Sequence, residues 1–275
     1  MDTPGDTLDT FPRLLLQHAR VRPRHAATRE KNLGIWQTWT WGEVAEEVRA
    51  LACGLASLGF RRGDNLAIIG DNRPRLYWAM CAAQSLGGVA VPMYQDAIAQ
   101  EMSFVLEDAG IRFAIVEDQE QVDKLLEMRA QCPQLAHVIY DDPRGMRHYD
   151  QPGVLSLDAL MQAGREWHAA HPAFFSDEIA LGKTGDVAVM LYTSGTTGKP
   201  KGVCQTHEAF IGAASSGCSF DKLGPDDNIL SYLPMAWVGD HLFSYAQAMY
   251  AGFTINCPES GDTVMTDLRE IGPSY

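Results

Sequence analysis

Apolar positions between residues 41 and 140 alternate between two spacings. The run WGEVAEEVRALACGLASLG from Trp41 places its apolar side chains at helical intervals and ends on a glycine stop at Gly59. Asn65–Gly70 (NLAIIG) is then a short apolar run with β-branched residues, the pattern of a buried strand. The rhythm repeats as a helix over Arg73–Leu86, a strand over Val89–Met93, an amphipathic segment over Ala97–Ala109 and a strand over Phe113–Val116. A helix over Gln119–Arg129 and a strand over Val138–Tyr140 follow. Strands alternating with helices of this length imply βαβ units and a parallel sheet, with helices on both faces because such crossovers are right-handed.

Residues 141–186 break the rhythm. DDPRG, YDQPG, HPAFF and GKTGD read as an irregular excursion containing one helix near Leu157–Gly164. The alternation restarts with a strand over Val187–Thr193, a returning strand over Gly202–Gln205, and a helix over His207–Ser215 for which Thr206 can serve as cap. A strand over Asn228–Leu233, a helix over His241–Ala251 and a strand over Phe253–Cys257 complete the reading. The expected architecture is α/β: two packed subdomains with largely parallel sheets, residues 1–140 and 187–275, joined by the connection 141–186. Leu76–Tyr94 carries no charge and is long enough to cross a bilayer, but Gln84, Ser85, the Gly87-Gly88 pair and Pro92 interrupt it. A buried helix followed by a buried strand explains that stretch better, so no integral membrane span is expected; peripheral membrane contact is left open.

Composition narrows the partners. Of 275 residues, 46% are hydrophobic and 21% charged, as in an ordinary globular protein. A net charge of −13 argues against nucleic acid, whose phosphates need clustered Lys and Arg, but does not exclude a nucleotide in a local pocket. The cluster Arg20–Arg24 reads as a solvated helix end. Six scattered cysteines include no C-x-x-C pair, and MDTPGDTLDT is unlike a signal or transit peptide, so free thiols in a reducing cytoplasm are expected. His168 and His171 have the spacing of a metal pair, yet nothing nearby completes a ligand set, and a solvated helix end is the better reading. Asp141-Asp142 and Asp226-Asp227 read as turn residues. Ser215-Ser216-Gly217 is not a nucleophile elbow.

The chemistry is concentrated in LYTSGTTGKPKGV, residues 191–203. Hydroxyls, bare backbone N–H groups and lysine charge in one short loop suit a polyphosphate. A flexible linker is the rival reading. The run is not a Walker A loop: only two residues separate Gly195 from Gly198, and Pro200 stands where the magnesium-binding hydroxyl should follow Lys199. Proline also disfavours a helix starting there. A strand, a mobile hydroxyl-rich loop and a second strand are expected instead.

The full run YTSGTTGKPKG resembles the signature loop of the adenylate-forming superfamily, which includes acyl-CoA synthetases, aryl-CoA ligases, luciferases and peptide-synthetase adenylation domains. The order WTWGEV, GDNLAIIGDNRP, LGGVAVPMY and then the loop is similar to the layout of that family's first half. Leu233-Pro234-Met235-Ala236-Trp237 looks like its L-P-x-x-H/W segment, and PESGDTVMTDLREIGPS looks like its long-chain fatty acyl-CoA synthetase branch. The resemblance covers residue 9 to the C-terminus. It implies two steps, carboxylate attack on the ATP α-phosphorus and then displacement of AMP by the thiol of CoA, with ATP, Mg2+, CoA and a fatty acid as the small-molecule set. It implies that Thr193, Ser194, Thr196, Thr197, Lys199 and Lys201 hold phosphates, with Mg2+ at Thr193, and that Gly195 and Gly198 let the loop close. It also implies that Met235 and Trp237 belong to the acyl and adenylate pocket; the pocket role of Trp237 competes evenly with plain core packing. His207 reads as a structural residue near the cap rather than a base. The family's Y-G-x-T-E segment, ribose-binding aspartate, hinge and C-terminal catalytic lysine are not in these 275 residues, so a truncated chain without the C-terminal lid, poorly active by itself, is expected. The competing functional readings are a non-catalytic nucleotide- or acyl-binding fragment and an aryl-CoA or amino-acid adenylating branch.

Overall fold

A computed structural model describes residues 8–193 and 200–275. The chain opens with α1 (Phe11–Val21) and the hairpin β1 (Ala26–Asn32) and β2 (Ile35–Thr40), then α2 (Trp41–Ser57), β3 (Asn65–Ile69), α3 (Pro74–Ser85) and β4 (Val89–Met93). It continues through α4 (Ala99–Asp108), β5 (Phe113–Val116), α5 (Gln119–Glu127), β6 (His137–Tyr140) and β7 (Val154–Ser156) to α6 (Leu157–Ala170) and α7 (Phe174–Leu181). After β8 (Val187–Thr193) come β9 (Lys201–Thr206), α8 (His207–Asp221) and β10 (Asn228–Leu230). A π-helical segment, Asp240–Ala246, runs directly into α9 (Gln247–Ala251), followed by β11 (Thr254–Cys257) and α10 (Val264–Ile271).

The strands form a seven-stranded sheet in the order β7-β6-β5-β3-β4-β8-β9 and a four-stranded sheet in the order β10-β11-β1-β2. Both are largely parallel; β8–β9 and β1–β2 are antiparallel. Sheet membership runs across the expected subdivision of the chain. Residues 1–140 and 187–275 each contribute strands to both sheets, because β1 pairs with β11 (Thr28 opposite Ile255) while β8 pairs with β4.

Local signals explain most elements. Thr40 and Glu43 form a reciprocal capping box at the start of α2, satisfying two otherwise unpaired N–H groups. The charge-free stretch from Leu76 divides as expected: α3 ends where Gly87, at φ +68°, lets Gly88 N–H reach back to the Ala83 carbonyl, and β4 begins two residues later. No helix among the described residues is long and apolar enough to cross a membrane.

The segment 141–186 differs from expectation. It supplies β7 at the sheet edge and two helices, and α6 runs to Ala170 rather than ending near Gly164. Ser156 caps α6 through the Ala159 N–H, and its buried residues Leu157, Leu160, Met161 and Gly164 form one stripe at helical spacing. That stripe lies on α2 and joins the larger of two hydrophobic clusters; the second cluster fills the other face of the seven-stranded sheet, under α4 and α5.

Candidate active site

The 191–203 run has a strand on each side of residues 194–199, β8 ending at Thr193 and β9 beginning at Lys201. In the β8–β9 ladder Leu191 lies opposite Val203, Tyr192 opposite Gly202 and Thr193 opposite Lys201. Thr193 and Lys201 are both exposed, so a hydroxyl and an ammonium group stand paired at the open end of this ladder. Ser194, Gly195, Thr196, Thr197, Gly198 and Lys199 lie outside the described residues.

Contacts anchor this ladder at its two ends. The Tyr192 hydroxyl donates to Asp108 Oδ2 at 2.6 Å, anchoring β8 to α4. Burial, reinforced by that carboxylate, pushes the Tyr192 hydroxyl up, so it remains a phenol and a donor. At the far end Thr206 caps α8 through the Ala209 N–H, and buried His207 accepts from the Phe11 N–H on Nδ1. Desolvation holds His207 down to about 4; a buried neutral imidazole with a backbone partner is a structural residue.

A cavity of about 530 Å³ opens beside the end of β8, lined by Tyr94, Leu191, Thr193, Gln205, Trp237 and Val238 among others. Two residues singled out in the sequence, Thr193 and Trp237, therefore meet at one hollow. Trp237 is 49% exposed and forms part of the wall, so it does not fill core. Met235 is 3% exposed and packs in the main hydrophobic cluster instead of lining the cavity. The tight turn here, with Trp237 N–H donating to the Pro234 carbonyl, leaves Met235 and Ala236 buried and Trp237 and Val238 exposed. Tyr94 and Gln205 had no motif to mark them; Tyr94 stands one residue past β4, at the carboxyl edge of the sheet where α/β proteins place ligands.

A second hollow of about 570 Å³ lies between the sheets near the ends of β3, β5 and β6. Its cations are committed. Arg73 donates to Glu117 Oε1 at 2.8 Å and to the Pro258 and Glu259 carbonyls, and Arg75 pairs with Asp141 at 2.7 Å. The arrangement is a strut joining the two sheets. Asp142 is a turn residue as expected, accepting from the Arg144 N–H. Asp141 departs from that reading: it is a largely buried ion-pair partner, pushed up to about 6 by desolvation. His168 and His171 fall at the end of α6, and no group of three metal-ligating side chains occurs among the described residues.

Residues 15–275, nearly the whole chain, match the family described as AMP-binding enzyme. The chain belongs to that family. The long-chain-fatty-acid–CoA ligase FadD15 of Mycobacterium tuberculosis is 28% identical over 253 residues, which is 90% of this chain and 40% of that protein. The long-chain-fatty-acid–CoA ligase ACSBG2 of Rattus norvegicus is 27% identical over 281 residues, 99% of this chain and 41% of that protein. The chain thus spans about 40% of the length of each of these two relatives. Among solved structures, the N-terminal domain of FACL13 from Mycobacterium tuberculosis superposes with a TM-score of 0.72 at 26% identity, over 96% of this chain and 61% of that one. The anthranilate CoA ligase AuaEII superposes with a TM-score of 0.83 at 20% identity, over 99% of this chain and 50% of that one, a likeness of fold alone. The α/β architecture with largely parallel sheets is that of the AMP-binding family's N-terminal domain.

Proposed function

We propose that the chain carries the ATP-phosphate and carboxylate-binding part of an AMP-forming acyl-CoA synthetase acting on a long-chain fatty acid. The observation that supports this reading is the convergence of exposed Thr193 and Lys201 on one end of the β8–β9 ladder, beside a cavity that Thr193 shares with Trp237. The long-chain ligases among its relatives favour a fatty acid over an aromatic or amino acid.

In the proposed reaction a fatty-acid carboxylate oxygen attacks the ATP α-phosphorus, the bond to pyrophosphate breaks, and an acyl-adenylate forms. The thiol of CoA then displaces AMP. Charge develops on phosphate oxygens, so positioned donors do most of the catalytic work. Thr193, Ser194, Gly195, Thr196, Thr197, Gly198, Lys199 and Lys201 would supply them: hydroxyls and backbone N–H groups for the β- and γ-phosphates, ammonium groups for their charge. Magnesium is ordinarily held by few protein oxygens together with substrate phosphates, which a lone hydroxyl such as that of Thr193 suits. When bound, the ion would neutralise phosphate charge. Trp237 would form an apolar wall for the acyl group beside the adenylate. Pyrophosphate exchange into ATP tests the reading. Exchange that requires palmitate or oleate supports it, and exchange driven instead by benzoate or an amino acid overturns the substrate assignment.

A further inference from the structure

We propose that Asp71, Asn72 and Asp240 act together as positioning residues that set the spacing between Tyr94 and Trp237, and through it the shape of carboxylic acid that the cavity accepts. This inference rests on the proposed synthetase reading for its substrate class and stands on geometry for the rest.

The segment Leu233–Asp240 carries Trp237, and one side chain holds both of its ends. Asn72 Nδ2 lies 3.0 Å from the Leu233 carbonyl and 3.0 Å from Asp240 Oδ1. Asp240 has no exposed surface, yet its carboxylate is fully provided with donors. The Tyr77 hydroxyl approaches both of its oxygens, at 2.8 and 2.9 Å, and Ser231 Oγ lies at 3.0 Å. Burial pushes Asp240 up to about 6, and its hydrogen bonds work against that rise. A buried carboxylate is costly wherever an apolar side chain could fill the space, and it is retained where a satisfied network specifies one arrangement.

Inside the segment, buried His241 donates from Nε2 to the Met235 carbonyl at 2.7 Å. Desolvation keeps the ring neutral, at about 4. Met235 is thereby drawn into the core while Trp237 stays on the cavity wall. Asp240 also begins the π-helical segment, a winding that is rare in proteins and tends to occur at functional sites.

The neighbouring residue reaches the other wall. Asp71 Oδ1 accepts from Gln95 Nε2 at 2.6 Å, and Gln95 directly follows Tyr94. Two consecutive side chains in the loop after β3 therefore hold Tyr94 on one side and Trp237 on the other. Tyr94 and Trp237 are 43% and 49% exposed and both line the cavity, so their positions depend on the backbone that carries them.

The test uses Asp240→Asn, which keeps the shape but removes the charge and turns one of the two acceptor oxygens into a donor amide, and Tyr77→Phe, which removes the hydroxyl and keeps the ring. Gly164→Ala, a core change far from this network in sequence, controls for stability. Fluorine NMR of fluorotryptophan-labelled protein, with the Trp237 line assigned through Trp237→Phe, reads the wall directly and needs no activity. The Trp237 resonance should shift or broaden in Asp240→Asn, less so in Tyr77→Phe, and hold in Gly164→Ala. In pyrophosphate exchange the KM for the fatty acid should rise about tenfold while that for ATP moves little, since a small misplacement of a positioning wall acts on one substrate only. If Asp240→Asn fails to fold, Tyr77→Phe decides. An unmoved Trp237 line with unchanged fatty-acid KM in a folded variant overturns the proposal. A wild-type protein without exchange would overturn the synthetase reading and leave the NMR test of the clamp standing.

Discussion

Gly164→Ala should loosen the contact that seats residues 141–186 on the core. Where α6 crosses α2, a Cβ at Gly164 would stand 1.8 Å from the Ala50 carbonyl oxygen and 2.6 Å from Gly54 N. Both obstacles are backbone atoms of buried α2 residues, so no side chain can swing aside. The approach is equally close from the other helix: a Cβ at Gly54 would lie 2.5 Å from the Leu160 carbonyl oxygen. Heavy atoms pack comfortably at about 3.5–4.0 Å, so the helices would have to part by roughly 1.5 Å. Overpacking of this kind costs about 1–3 kcal/mol. Alanine returns up to about 1 kcal/mol as a better helix former. The net loss is on the order of 1–2 kcal/mol, a fall in Tm of roughly 2–4 °C at this chain length. Urea and thermal unfolding followed by circular dichroism measure it. Gly212→Ala is the matched control, since α8 is exposed there and an added Cβ meets nothing within 4 Å. It should stabilise by up to about 1 kcal/mol. If Gly164→Ala matched or exceeded the wild type in stability, the close-approach reasoning would be refuted.

Three further outcomes are expected. Thr193→Ala and Lys201→Ala should each weaken ATP use by on the order of 1–3 kcal/mol while Tm holds, because both residues are exposed and, in the proposed function, face phosphate; lost stability with normal ATP saturation would mark them as structural. Arg73→Ala should cost on the order of 3 kcal/mol in urea unfolding, because it strands the half-buried Glu117 carboxylate and cuts the strut between the sheets; a neutral result would contradict that role. His18, His207 and His241 are held down to about 4 by burial, against about 6.5 unfolded. Between those values the unfolded chain binds more protons, so their stabilisation is complete above pH about 6.5 and is lost as pH falls toward 4. Asp141 and Asp240, raised to about 6, act in the opposite sense over the lower part of that range. His207→Gln should remove up to about one proton from the slope of unfolding free energy against pH, and an unchanged slope would count against the assignment.

The elements between residues 41 and 140 were legible because each apolar run is bounded by its own glycine or cap, and they fall within a few residues of expectation. Residues 11–40 were not. The strand AATREKN has no strong alternation, and its burial comes from β11, more than two hundred residues away. In 141–186 the helix near Leu157–Gly164 was legible, but the dense Pro and Gly turn signals masked its continuation to Ala170, the edge strand β7 and the helix α7. The loop of the candidate site was legible as a motif, whereas the cavity was not. Tyr94 and Trp237 reach it from distant elements, and the Asn72–Asp240 bond that seats one of them spans 168 positions. Local patterns register helices and strands; they are silent on which turn points a Met inward and a Trp outward.

The most direct test of the synthetase reading is to incubate the protein, as the cell makes it, with ATP, magnesium and oleate in the absence of CoA, and to identify the products by mass spectrometry. Oleoyl-adenylate and pyrophosphate should appear in equal amounts, and both should fall together in Lys201→Ala. Release of ADP and orthophosphate without an acyl-adenylate would contradict that reading.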